Sequence, residues 1–189
     1  EIPAADRLVA DNLLLSGTTP TLTIGDAGAE DTKIVFDGNA QDFYIGLDDS
    51  ADDLVIGLGS AVGTTPAISI DENLVTKATA YADTYLAPTS SSNATTINCR
   101  GGNYFKHTLT ENTTFTFSNP PASGTGFSFV LHLIQDSTAR TVTWPNSVDW
   151  AAATAPTIST GSGADDFFVF ATSDGGTIWY GFTAGQNLS

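Results

Sequence analysis

One cysteine, Cys99, and no methionine occur among the 189 residues. A lone thiol forms no intramolecular disulfide, so sulfur does not staple this fold. Basic residues are almost as scarce. Six Lys and Arg stand against 21 Asp and Glu, for a formal net charge of −15. Such a chain lacks the cations that replace counterions on phosphate, which excludes nucleic acid as a partner. The same charge opposes binding to an anionic membrane surface. No apolar run reaches the roughly 18 residues that span a bilayer, so no membrane insertion is expected. There are two histidines, His107 and His132, and neither belongs to an HxH or HExxH pair. No GxSxG elbow is present, and the "GSG" at Gly161 has no lysine after it to complete a phosphate loop. The usual supports for metal, hydrolase and nucleotide chemistry are therefore missing, and the chain does not read as an enzyme. With Glu1 first and no methionine, it reads as processed or as a segment of something longer.

What is present is periodic. From Thr18 to Asp71 short apolar phrases alternate with polar turns: "TLTIGD", "KIVFDG", "FYIGLD", "LVIGLG" and "AISIDE". Their central isoleucines, Ile24, Ile34, Ile45, Ile56 and Ile68, are spaced by 10, 11, 11 and 12 residues. Such spacing predicts a β meander or stacked β layers. A longer repeat lies over it, because "GTTPTLTIGD" at Gly17 returns as "GTTPAISIDE" at Gly63. Each phrase carries few apolar residues, and glycines (Gly46 and Gly57) interrupt two of them. A sheet this thin buries too little surface, at about 25 cal/mol per Å², to offset its own ordering entropy. Sharing a core with identical chains would supply the rest.

Residues 72–97 break the β pattern. Leu74, Ala78, Tyr81 and Tyr85 recur at helical spacing and Pro88 follows, which predicts a short helix and then the linker "PTSSSNATT". Thr76, Thr79 and Thr84 weigh against the helix. Residues 98–189 hold all three tryptophans and nine of the eleven phenylalanines, enough for a β-sandwich core. "TTFTFSN" and "RTVTWP" alternate, "FSFVLHLIQ" is apolar on both faces, and "SDGG" joins two strands as a hairpin. The expected fold is mainly β: a thin repeated β-strand shaft over 1–71, a helical neck and linker over 72–97, and an antiparallel β-sandwich or jelly-roll-like domain over 98–189.

Two features come nearest to a site. "FYIGLDDSADDLVIGL" sets Asp48, Asp49, Asp52 and Asp53 between two similar phrases. Four carboxylates suit calcium, yet the spacing is neither an EF-hand nor a calcium β-roll, and a turn tip is a poor place to hold a catalytic pair. The preferred reading is a solvated hairpin turn with Asp48 and Asp53 at the strand ends, no cofactor being required. The other feature is aromatic: Trp150, Trp179 and Tyr180 could stack on a sugar ring. The alternation around Trp179 favours the core for it, and Trp150, in "SVDWAAATAP", is expected to be the most exposed.

Three stretches, "NCRGGNYFKHTLTENTTFTFSNPP", "VTWPNSVDWAAATAPTIST" and "TSDGGTIWYGFTAGQNLS", resemble the C-terminal modules of structural proteins from tailed bacteriophages, especially marine ones. "GDAGAEDTKIVFDG" and "FYIGLDDSADDLVIGL" look like repeated segments of phage tail-fibre proteins. The resemblance implies a virion location and a homotrimeric fibre, as a tail or head appendage, contributing to host attachment. Its partners would be its own copies, other virion proteins of the tail, portal or capsid, and a host cell-surface glycan or protein. A capsid decoration protein and a glycan-binding receptor-recognition module are the alternatives, and a tailspike depolymerase is the enzymatic one.

Overall fold

The computed structural model describes residues 11–188 and divides into two compact units, with the boundary between Tyr81 and Ala82. Strands dominate both. The one helical element among the described residues is a 3-10 turn at Ala151–Ala153.

The first unit is a five-stranded antiparallel meander in chain order: β1 (Thr32–Phe36), β2 (Phe43–Asp48), β3 (Asp53–Leu58), β4 (Pro66–Ile70) and β5 (Thr76–Ala78). The isoleucine spacing has a direct structural meaning. Ile34 pairs with Ile45, Ile45 with Ile56, Ile56 with Ile68, and Ile68 with Ala78. One apolar row therefore crosses all five strands. Residues two positions along a strand share a face, so two more rows flank it. Leu47–Leu54–Ile70 lies on one side and Phe36–Phe43–Leu58 on the other. The reverse face buries Tyr44 and Val55. There the loop after β3 folds back, and the Gly63 amide donates to the Tyr44 hydroxyl at 3.1 Å.

Gly57 stands opposite Tyr44, and a Cβ at Gly57 would lie 2.4 to 2.7 Å from the tyrosine side chain. The glycine inside this strand is thus a close-approach residue. Gly57→Ala is expected to destabilise the first unit by about 1–3 kcal/mol through overpacking, read as a lower denaturation midpoint. Gly59→Ala would report a different effect, because nothing lies within 4 Å of its Cβ position and only its φ of +86° opposes a side chain.

Two expectations fail here. "TLTIGD" (Thr21–Asp26) forms no strand, although its repeat copy becomes β4. The difference is partnership, since β4 lies between β3 and β5, whereas the earlier copy pairs with no strand among the described residues. The helix expected after residue 72 is also absent. β5 occupies part of that stretch, and β6 (Tyr85–Leu86) lies near its end. The Asp71 carboxylate accepts the amides of Asn73 and Val75 at 3.0 and 2.9 Å, and Leu74 turns to a φ of +63°. That turn captures the amides of a would-be first helical turn and aims the threonine-rich segment back along β4.

In the second unit β6 is followed by β7 (Ala94–Asn98), β8 (Tyr104–Leu109), β9 (Thr113–Ser118), β10 (Phe127–Gln135), β11 (Val142–Thr143), β12 (Val148–Trp150), β13 (Asp165–Thr172) and β14 (Trp179–Leu188). They form a six-stranded sheet, β12-β14-β13-β10-β8-β6, and a three-stranded sheet, β11-β9-β7. Ile97, Cys99 and Phe115 from the small sheet and its flank share one core with Phe105, Phe129, Leu131, Phe168, Phe170 and Trp179 from the large one. The strand arrangement is mixed rather than the antiparallel one expected. From β6 to β11 the chain alternates between the two sheets, so β6, β8 and β10 lie side by side in parallel, as do β7, β9 and β11. Only β10–β13 and β13–β14 are antiparallel here.

The predicted hairpin at "SDGG" joins β13 to β14, with Gly175 and Gly176 at φ of +75° and +79°. The Asp174 carboxylate closes it by accepting the Thr172 hydroxyl and the Ile178 amide. The far end of β14 is tied to the buried Asp166. Burial alone would raise that carboxyl. The Ser159 hydroxyl and amide, the Asn187 amide and the Gln186 side chain outweigh it and hold it below the usual carboxylate range.

Candidate interaction surfaces

The alternation in β1–β4 turns the larger apolar side chains outward. Nine of them, from Ile34 to Ile68 across the three rows, are 37 to 56% exposed. No charged residue stands within those rows. Lys33 and Lys77 occupy the alternate positions, as do Tyr44 and Val55. An uncharged apolar sheet face of this extent exceeds the patches normal for an isolated soluble chain.

The acidic turn is the hairpin turn that the sequence predicted. Asp48 pairs with Asp53 across β2 and β3, and Asp49–Asp52 make the connection, with Asp52 at a φ of +58°. Some of its polar groups have local partners. Ser50 donates to the Asp48 carboxylate at 2.7 Å, and the Asp49 amide donates to the Asp31 carboxylate at 3.1 Å. Among the described residues no group of three or more His, Cys, Asp or Glu side chains converges as a metal site.

The three aromatic candidates separate. Trp179 is 1% exposed, in edge contact with Phe117 and Phe129, and is core. Trp150, expected to be exposed, is half-buried instead. Pairing of β12 with β14 sets it against Gly181, where its ring packs on Trp144, Phe168 and Phe170. A Cβ at Gly181 would lie 2.8 Å from that ring. Tyr180 alone remains open, at 51% exposure on the opposite face of the same sheet.

His107, one of the two histidines, lies at the centre of a polar knot. Its Nδ1 donates to the Pro88 carbonyl at 2.8 Å, which leaves Nε2 as an acceptor for the Ser90 hydroxyl at 3.1 Å. The hydroxyls of Thr95 and Thr113 also reach Ser90 Oγ, at 2.8 and 2.9 Å. A Ser–His contact invites comparison with nucleophilic catalysis. Here a neutral carbonyl replaces the carboxylate that would stabilise an imidazolium, and Ser90 Oγ is shared with the hydroxyls of Thr95 and Thr113. The adjoining groove, lined by Tyr85, Ser90, Lys106 and Thr108, has a volume of about 190 Å³, below the roughly 300 Å³ at which ligand pockets begin. The arrangement ties the segment before β7 to β7, β8 and β9.

Burial lowers the pKa of His107 below its ordinary 6.5, against the opposing effects of the Pro88 carbonyl and Glu111. The folded chain then binds fewer protons than the unfolded chain at pH values below 6.5. Stability is complete above that value and is lost as pH falls through it toward the depressed folded pKa. Denaturant melts between pH 7.5 and 5 should show a decline of at most about 1.4 kcal/mol per pH unit from this one group. The lowered carboxyls of Asp136, Asp166 and Asp174 act only at lower pH. His107→Gln should flatten the decline.

One surface had a sequence signal that pointed to it without locating it. "FSFVLHLIQ" is apolar on both faces, yet only its inner residues Phe129, Leu131, Leu133 and Gln135 are buried. The outer ones, Val130, His132 and Ile134, are half-buried on a face that no third sheet of this unit covers.

Residues 86–164, inside the second unit, match the family described as "Putative phage tail fibre C-terminal domain". No curated protein and no solved structure matches the chain. The match falls on the strands β6 to β12, which hold two of the three second-half stretches that resemble tailed-phage proteins. Together with the mainly β architecture, the similarity of this part of the second unit to that family supports a phage tail-fibre protein, a component of the phage particle.

Proposed function

We propose that this chain builds a homotrimeric fibre segment through the apolar face of its first sheet and that it contributes to host attachment. The observation that carries the reading is the set of nine exposed apolar side chains on one uncharged face. At 37 to 56% exposure they leave about 750 Å² per chain, close to the roughly 800 Å² per partner of a stable interface. A different protein would have to match that face in shape. A second and third copy present the same rows by symmetry. Three such sheets close a prism with the rows inside and the "DDSADD" turns at its ends, where water screens their charge beyond roughly 8 Å. Three copies rather than two follow from the likeness to fibre proteins.

The role is mechanical, not catalytic. The Ser90–His107 contact is part of a hydrogen-bond knot that ties the segment before β7 to three strands. Of the three aromatic candidates for a host contact, Trp179 is core and Trp150 half-buried, and Tyr180 is exposed only in the single chain. Sedimentation of the purified chain tests the assembly: three times 19.6 kDa is expected, and a monomer at micromolar concentration overturns it. Adsorption assays with purified chain as competitor test the attachment role, which fails if an excess leaves phage adsorption unchanged.

A further inference from the structure

We propose that the outer face of the six-stranded sheet in the second unit is a separate self-association surface, occupied by another copy of this chain. The proposal rests on the assembly inferred above but uses a different unit and different residues.

The register assembles the face from five strands. Tyr85 pairs with Tyr104, Tyr104 with Val130, Val130 with Val169, and Val169 with Phe182. One apolar and aromatic row thus crosses β6, β8, β10, β13 and β14. Beside it run Lys106, His132 and Phe167, with the His132 ring stacked on Phe167 at 4.2 Å. Tyr180 lies on the other side, opposite Ala171. Tyr85, Tyr180, Phe182 and Leu188 are 47 to 56% exposed.

Three observations say that a copy of the chain covers this face. The first is the contrast between the two outer faces of one sandwich. The small sheet presents Thr96, Thr114, Thr116, Thr143 and Asn98, all exposed and polar, as a water-facing surface should. The large sheet presents the row just described. β10 and β13 are apolar on both sides, a pattern of strands covered on both faces. The second is area. The four most exposed side chains alone leave about 500 Å², and the half-buried ones add to it, which approaches the roughly 800 Å² per partner of a stable interface. The third is charge. The chain carries −15 overall, so two copies repel one another over most of their surface. On this face the charged groups are Lys106, Asp165 and, on the edge strand, Asp149, and Asp165 is already engaged by His132 at 2.5 Å. It is a nearly neutral window through which identical acidic chains can meet.

Accessibility of an introduced thiol in the full chain tests this, the native Cys99 being buried. Ser128→Cys places a thiol on the outer face of the large sheet, and Thr116→Cys places one on the outer face of the small sheet. At concentrations where the chain is assembled, a maleimide should label position 128 at least about tenfold more slowly than position 116, and dilution to monomer should remove the difference. In parallel, Phe182→Glu should weaken self-association about thirtyfold or more, as loss of an aromatic anchor does, with the fluorescence of the buried Trp179 as the check on folding. Equal labelling at both positions in the assembled chain overturns the proposal. Slow labelling at 128 that persists in the monomer also overturns it, since the cover would then lie within one chain. Free labelling that host cell-surface material suppresses overturns it in favour of a receptor. If Ile56→Asp weakens assembly while Phe182→Glu and position 128 show no effect, the first-sheet reading stands and this one falls. A full chain that never assembles removes both.

Discussion

Ile56→Asp is expected to weaken assembly of the chain by at least about a hundredfold while leaving the first unit folded. Ile56 sits mid-row, paired with Ile45 on one side and Ile68 on the other. It is 40% exposed, so in a single chain an aspartate there can turn its carboxylate to water. Inside the proposed prism it cannot, because the flanking rows are apolar and three copies bring three carboxylates together. Burying a charge without a partner costs several kcal/mol, and about 2.7 kcal/mol is already a hundredfold in an equilibrium constant. Sedimentation across a dilution series reads the change, and circular dichroism checks that the sheet persists. Because the second unit carries a face of its own, complete conversion to monomer is expected only when Ile56→Asp is combined with Phe182→Glu. Unchanged assembly in the single variant would remove the first sheet from the interface.

The largest expected loss of folding stability is at Phe129, which is 1% exposed. Its ring centroid lies 5.4 Å from Phe105, 5.0 Å from Phe117, 5.1 Å from Phe170 and 5.4 Å from Trp179. Phe117 comes from the small sheet and the others from the large one, so this side chain joins the two layers. Phe129→Ala should cost about 3–5 kcal/mol, from the apolar surface no longer buried and from the cavity left among rings that cannot collapse. The edge-to-face attraction between Phe129 and its neighbouring rings disappears as well, which adds to that cost. Thermal unfolding followed by Trp179 fluorescence measures it, and a shift within the range of ordinary surface substitutions, about 0.5 kcal/mol, would refute the layered core. The same substitution at Phe182, an outward residue, should change folding far less and assembly far more.

Local patterns were legible in the sequence. The isoleucine spacing announced a meander, and the register of β1 to β4 follows it residue by residue. The turns at "DDSADD" and "SDGG" were readable because their residues fix backbone dihedrals within a few positions. The single cysteine left no intramolecular disulfide to consider, and the shortage of basic residues argued against nucleic acid, without any coordinates. Alternation also marked which residues share a face. It did not reveal whether that face meets the chain's own core, and in the first sheet it does not.

Only tertiary structure decided what depends on partners distant in sequence. Helical spacing after residue 72 lost to β4, whose edge offered hydrogen bonds that a short, threonine-rich helix could not match. "TLTIGD" and "AISID" share a sequence pattern, yet the second is a strand and the first is not, because pairing is a property of neighbours. The second unit runs largely parallel because its chain alternates between two sheets, and in/out alternation reads the same in either direction. Trp150 was drawn inward by a register with Gly181 that lies 31 residues away in the chain. A sequence states what each strand has to bury, and the fold determines which side chains are left for another copy to cover.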